Sequence, residues 1–146
     1  MNKSAKIAQD LASVNIDSAR FYEHAMAEVQ DPMLKPVFKR MADTKRRLIN
    51  DLEQHILRSG EKPSGTGTFA GVMREKYTDI KAMLSREDKK VYVKELEEAE
   101  DRILEHYREA LSEVESDELE HLLEAQLPTV NACHDEMRTL KRQLLS

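Results

Sequence analysis

The sequence predicts an all-α fold: a single domain, 1–146, built as an antiparallel bundle of four long helices with one long crossover between the second and the third. Three observations carry this. Charged residues make up 35% of the 146 residues while Gly and Pro number four each, a balance that favours long helices over sheets. Apolar residues recur at helical period through four long stretches. The caps and breakers between those stretches leave two connections almost without a loop and one very long.

The first stretch, 4–30, carries Ile7, Leu11, Val14, Phe21, Tyr22, Ala25 and Val29 on one stripe. Asp31-Pro32 stops it and starts the next at once, with Asp31 as N-cap and Pro32 in the first helical position. The second helix, 32–59, runs through Leu34, Val37, Phe38, Met41, Leu48, Leu52 and Ile56. Pro36 lies near enough to its start to be tolerated, and Gly60 supplies the left-handed residue that commonly follows a C-cap. A loop with Pro63, Gly65 and Gly67 leads to a short helix, 69–84, striped by Phe69, Val72, Met73, Tyr77, Ile80 and Leu84. Ser85, with Asp88 three residues on, resembles a capping box and opens the third main helix, 86–114, through Val93, Leu96, Ala99, Ile103, Tyr107, Leu111 and Val114. Ser116 caps the fourth, 117–145, with Leu119, Leu123, Leu127, Val130, Cys133, Met137, Leu140 and Leu144 as its stripe. Pro128 falls inside that helix, but a count of ~100° per residue puts it on the solvent side, so one bent helix is expected rather than two.

Connection lengths then set the topology. The first pair and the last pair are tight hairpins, and the span between them is long enough to travel the whole bundle, since each main helix is ~40 Å long at ~1.5 Å per residue. Two hairpins joined by one long crossover is ferritin-like connectivity, not the up-down-up-down form.

Four inward positions near the helix midpoints break the apolar stripes: Ser18, Lys45, Glu100 and His134. Tyr22, Tyr107 and Gln126 lie on the same faces. A buried Lys or Glu alone would neutralise or draw in water. The expectation is therefore a buried polar layer in which Lys45 and Glu100 pair, supported by His134 and a tyrosine. Carboxylate-bridged di-iron bundles need a Glu from each of two helices and Glu-x-x-His from each of the other two. Here the middle of the second helix reads Lys45-x-x-Leu48 and the fourth reads Asn131-x-x-His134. The rival expectation is one iron, manganese or zinc ion held by Glu97, Glu100 and His134, with Asp17 as a further candidate. No Gly-rich phosphate loop, nucleophile–base pairing or zinc-type Cys/His cluster occurs, so the leading expectation is a non-enzymatic protein without a cofactor. His24, His55, His106 and His121 read as surface residues on helix flanks.

A net charge of -5 argues against a nucleic-acid partner. No run approaches the ~20 apolar residues of a membrane span, and Met1 to Asp10 lacks the apolar core of a secretory signal. The lone cysteine, Cys133, reads as a small buried apolar residue and fits a reducing cytoplasm. Basic residues gather on the second helix (Lys35, Lys39, Arg40, Arg46, Arg47, Arg58). Carboxylates crowd the third and fourth, Glu105, Glu109, Glu113 and Glu124 among them. These are solvated faces in the first instance; the sharper reading is an acidic surface for a basic protein partner or for self-association into a homo-oligomer.

The chain also resembles a ferritin-like family of bacterial four-helix-bundle proteins carried as a domain of unknown function, within the rubrerythrin/ferritin superfamily. The resemblance spans nearly the whole chain. It rests on Phe21-Tyr22 before Ala25, on 31–38 leading into Ala42-x-x-Lys45, and on Gly60 followed by Gly67-Thr-Phe-Ala-Gly71. Glu97-x-x-Glu100-Asp101 before Tyr107, and His134-Asp135, complete it. It implies the fold and a bacterial cytoplasmic setting, not an activity. Against rubrerythrin-like relatives that bind two irons, Glu100 and His134 match ligand-type positions while Lys45, Leu48 and Asn131 depart from them, which implies that the di-iron ligands are largely lost.

Overall fold

The structure, a computed structural model, describes residues 2–67 and 89–145. Among these residues it is all-helical, with four helices and no strand: α1 (Lys3–Glu28), α2 (Leu34–Arg58), α3 (Lys89–Glu113) and α4 (Asp117–Leu145). The expected short helix over 69–84, the Ser85/Asp88 capping box and the first residues of the third helix lie outside the described residues.

Local chemistry explains the ends. Asn2 caps α1, its Oδ1 accepting from the Ala5 N–H at 2.7 Å, so the helix starts one residue before Ser4. It stops at Glu28 because Val29 is already extended. The expected start of α2 at Pro32 is corrected to Leu34. Asp31 Oδ1 accepts from the Met33 N–H at 2.9 Å, and its carbonyl accepts from Leu34 at 3.1 Å. The Asp31 side-chain bond is the one an N-cap makes to the second residue after it, as expected; Pro36 has no N–H to offer the Pro32 carbonyl, so Pro32 and Met33 form a turn that leads into the regular helix. At the other end of α2, Gly60 has φ 81. The Gly60 and Glu61 N–H groups bond to Leu57 O at 3.0 Å and Ile56 O at 3.2 Å, the two bonds of a Schellman motif. Ser116 Oγ accepts from the Leu119 N–H at 3.2 Å, capping α4. Pro128 sits within an unbroken α4 and is exposed, where its missing donor costs least.

Contacts at the two ends give the helix directions. Lys3 pairs with Glu115 at 3.2 Å, Ser4 Oγ meets His55 Nε2 at 2.8 Å, and Arg58 pairs with Glu118 at 2.8 Å. One end thus gathers the start of α1, the end of α2 and the α3–α4 connection. At the opposite end Lys89 Nζ lies 2.7 Å from Asp31 Oδ2, tying the start of α3 to the α1–α2 turn. The Lys89 hydrogen bond, helped by the Met33 N–H, holds the half-buried Asp31 carboxyl below its usual value. It follows that α2 and α3 run in the same direction. The described residues after α2, up to Gly67, run back along α1. Ser64 Oγ accepts from Gln9 Nε2 at 2.6 Å, and the Ser64 N–H donates to Gln9 Oε1 at 3.0 Å. Gly67 lies so close to Asp17 that a Cβ there would overlap its carboxylate.

Two large apolar clusters fill most of the interior, with a small third one of Ile16, Ala19 and Ile49. One, toward the α1 start, contains Leu11, Leu48, Leu52, Ile56, Ile103, Leu119, Leu123 and Val130. The other, toward the α1–α2 turn, contains Phe21, Tyr22, Phe38, Met41, Tyr92, Leu96, Cys133 and Met137. Fully burying each large side chain contributes about 1.5–3 kcal/mol. The clusters meet between Met41 and Leu48 on α2 and between Leu96 and Ile103 on α3. Among the described residues no helix is long and apolar enough to cross a membrane.

The positive φ of Gly60 gives a direct test. Nothing lies within 4 Å of a Cβ at that position, so Gly60→Ala meets only the left-handed backbone penalty. It should lower stability by about 1–2 kcal/mol in urea denaturation, and Gly60→Asn by less.

Candidate functional site

Lys45 and Glu100 occupy the boundary between the two apolar clusters, and both are 0% exposed. Periodicity puts them there: Lys45 is one turn from Met41 and Leu48, and Glu100 lies between Leu96 and Ile103. The ammonium stands 2.8 Å from Glu100 Oε1 and 3.0 Å from Oε2, so it engages both oxygens. Ser18 Oγ donates a long bond of 3.5 Å to Oε1. The Tyr22 hydroxyl is fully buried beside the Glu100 carboxylate. Burial first, and then the nearby Glu100 charge, push the Tyr22 phenol well above its ordinary value of 10.0. The fourth helix contributes Cys133. Its thiol is buried, and burial raises its pKa against the opposing pull of the Lys45 ammonium. All four helices therefore supply a side chain to this level.

A second polar layer lies about two turns away along α3 and α4. Tyr107 Oη donates to Gln126 Oε1 at 2.7 Å and accepts from Asn15 Nδ2 at 3.0 Å. Asn15 Nδ2 also donates to Leu11 O at 2.9 Å, and Gln126 Nε2 donates to Leu48 O at 3.1 Å. This chain again touches all four helices. Burial pushes the Tyr107 phenol above its ordinary value. The expected single layer is therefore two: Ser18, Tyr22, Lys45 and Glu100 in one, Tyr107 and Gln126 in the other.

His134 belongs to neither, which corrects its expected place. The inward stripe of α4 is Leu119, Leu123, Gln126, Val130, Cys133 and Met137. One residue further on, about 100° round the helix, His134 falls at the seam with α3, its side chain 12% exposed. There Nε2 meets Asp101 Oδ1, and Nδ1 lies 3.2 Å from Asp135 Oδ1. Of the candidate metal ligands, Glu97 and His134 come together, joined by Asp101. Ligand atoms of these three lie within 4.8 Å of one another, and Glu97 Oε2 also lies 3.3 Å from Lys141 Nζ. Glu100 is engaged by Lys45 instead, and Asp17 is buried against Gly67. The reading of His55 as surface is also corrected. It is 2% exposed, with Ser4 Oγ at Nε2 and Glu118 Oε1 3.4 Å from Nδ1. The sequence reading missed Asn15, Cys133 and Asp101 as members of these groups. Asn15 could have been found from its place four residues after Leu11, where a side-chain amide can bond back to a carbonyl.

Two irons need several anionic oxygens. The buried level offers the Glu100 carboxylate with an ammonium 2.8 Å away, so this donor set does not fit a di-iron centre.

A family model described as "Domain of unknown function (DUF2383)" matches residues 4–113. No curated protein matches the chain.

Removing either partner of the buried pair strands the other charge. Lys45→Met and Glu100→Leu should each cost about 3–5 kcal/mol, and the double variant should recover most of that loss; denaturation of the four proteins of the cycle reads the coupling directly. The buried phenols make a second prediction. Tyr22 and Tyr107 have pKa values raised above those of the unfolded chain, so their contribution is complete below about pH 10 and is lost as pH rises further. Each should remove about 1.4 kcal/mol per pH unit above that point. Phenolate absorbance and loss of helical circular dichroism should then rise together in an alkaline titration.

Proposed function

The chain belongs to the DUF2383 family, and we propose that it is a ferritin-like four-helix bundle with a non-enzymatic, structural or stress-associated binding role, in which an internal Lys/Glu pair stands where ferritin-like relatives hold two irons. One observation carries this reading: Lys45 and Glu100, both fully buried, satisfy one another at the level where the helix midpoints meet. A bundle that binds two cations concentrates carboxylates on its axis. This one spends its axial carboxylate on its own ammonium, and the groups around it are a hydroxyl, a phenol and a thiol with raised pKa values for the last two. Ferritin-like connectivity is supported by α2 and α3 running the same way, with the whole of 59–88 between them.

On this reading the protein acts through its surface, as a self-associating particle or as a partner for a basic protein, in a bacterial cytoplasm. The exposed carboxylates of α3 and α4, among them Glu105, Glu109, Glu113 and Glu124, support such a face.

Aerobic addition of ferrous iron to native, tag-free protein tests it. Iron should oxidise no faster than in buffer, and the desalted protein should carry no oxo-bridged ferric absorption. Two irons per chain with that absorption, both lost in the Lys45→Met, Glu100→Leu variant, would overturn the proposal.

A further inference from the structure

We infer that the α3–α4 seam holds a site for a single first-row divalent cation, of the Mn2+ or Zn2+ class, liganded by Glu97, Asp101 and His134. This site lies on the outer side of the helix pair, off the bundle axis, and does not depend on the role proposed above.

The placement follows from helix geometry. Glu97 and Asp101 are four residues apart on α3, so they share a face, and α4 lays His134 against that face. One ligand atom from each lies within 4.8 Å of the other two. Ligands at ~2.0–2.2 Å from a tetrahedral ion stand about 3.4 Å apart, so His134 Nε2 and Asp101 Oδ1, which touch directly, would part slightly to admit the ion between them. Exposure is graded as a site of this kind requires. Glu97 is buried, His134 half-buried and Asp101 exposed. The inner ligand is thereby fixed by packing, and the outer one leaves room for water to fill the remaining positions.

The imidazole has the surroundings of a ligating histidine. Each of its ring nitrogens faces a carboxylate, Asp101 at Nε2 and Asp135 at Nδ1. A cation at Nε2 would lie between the ring and Asp101, two groups that the helices already bring together. Asp135 holding Nδ1–H is the outer-shell contact that orients a ligating histidine and presents Nε2. Charge points the same way: Glu97, Asp101 and Asp135 surround the ring, and the cation in hydrogen-bond reach of these three carboxylates among the described residues is Lys141, at Glu97. One imidazole with two carboxylates suits ions that accept both nitrogen and oxygen ligands.

Calorimetric titration of chelator-treated, tag-free protein with Zn2+ alone, and with Mn2+ alone followed by loss of the free-ion paramagnetic resonance signal, tests the site. One ion per chain should bind. Asp101→Asn and His134→Gln should each weaken it by at least about tenfold, with circular dichroism unchanged. Lys141→Met should tighten binding, because the ammonium competes for Glu97. The Lys45→Met, Glu100→Leu double variant should bind as the parent does, which separates this site from any ion on the axis. No uptake up to millimolar ion, or uptake indifferent to Asp101→Asn and His134→Gln, would overturn the inference.

Discussion

Placing an ammonium and a carboxylate out of contact with water costs several kcal/mol for each charge, and their mutual attraction repays this only at close range with good geometry. The Lys45–Glu100 pair meets that condition, with both carboxylate oxygens within 3.0 Å of Nζ. The consequence is positional. Lys45 is fixed in α2 between Met41 and Leu48, and Glu100 in α3 between Leu96 and Ile103. A slide of either helix by one turn, about 5.4 Å, would bury both charges against hydrocarbon. The two apolar clusters on either side would tolerate such a slide far better, since packing of leucine on leucine is not selective of register. The pair therefore selects one alignment of two helices that no short loop joins, a role for which buried polar groups have precedent.

The second layer acts on the same problem in neutral form. Asn15, Tyr107, Gln126 and the Leu48 carbonyl link four helices by hydrogen bonds that are individually modest, about 0.5–1.5 kcal/mol each. Their loss would cost more than their formation gains, because each group would be left dry and unpaired. The layer is directional where the ion pair is strong. Together the two levels divide the long interior into short apolar compartments, and each compartment can pack in only one phase relative to the polar level beside it.

Legibility in the sequence followed the range of the physics involved. Ser116, Gly60 and the stripe positions of Lys45 and Glu100 were readable because each depends on neighbours within one or two turns of its own helix. Asp31 makes the cap-type bond to Met33 that its position predicts, but the regular helix begins only at Leu34, and the pairing of Asp31 with Lys89 depends on another helix. His134 was misplaced for a different reason. It and Cys133 differ by about 100° on α4, and a count along one helix leaves that much latitude in which residue faces the axis. The thiol went inward and the imidazole to the seam because the axis already contained its counter-ion, while the seam offered Asp101. That preference is set by α2 and α3, and no pattern within α4 encodes it. His55 shows the same limit: its burial depends on Ser4 and Glu118, each from another helix.

Glu97, Glu100 and Asp101 are three carboxylates within about one turn of α3, an arrangement that on an isolated helix would be destabilised by like-charge repulsion. The tertiary structure disperses them in two directions. Glu100 turns to the axis and is neutralised by Lys45, so its field at the seam is largely cancelled by an ammonium from another helix. Glu97 and Asp101 face the α3–α4 seam, where Lys141 and His134 answer them less completely. Without Lys45 the third carboxylate would add to the same negative region, and a cation would be drawn toward the axis and the seam alike. With Lys45 in place the attraction is confined to the seam. Lys45 thus also gives the outer carboxylates and their imidazole a separate field.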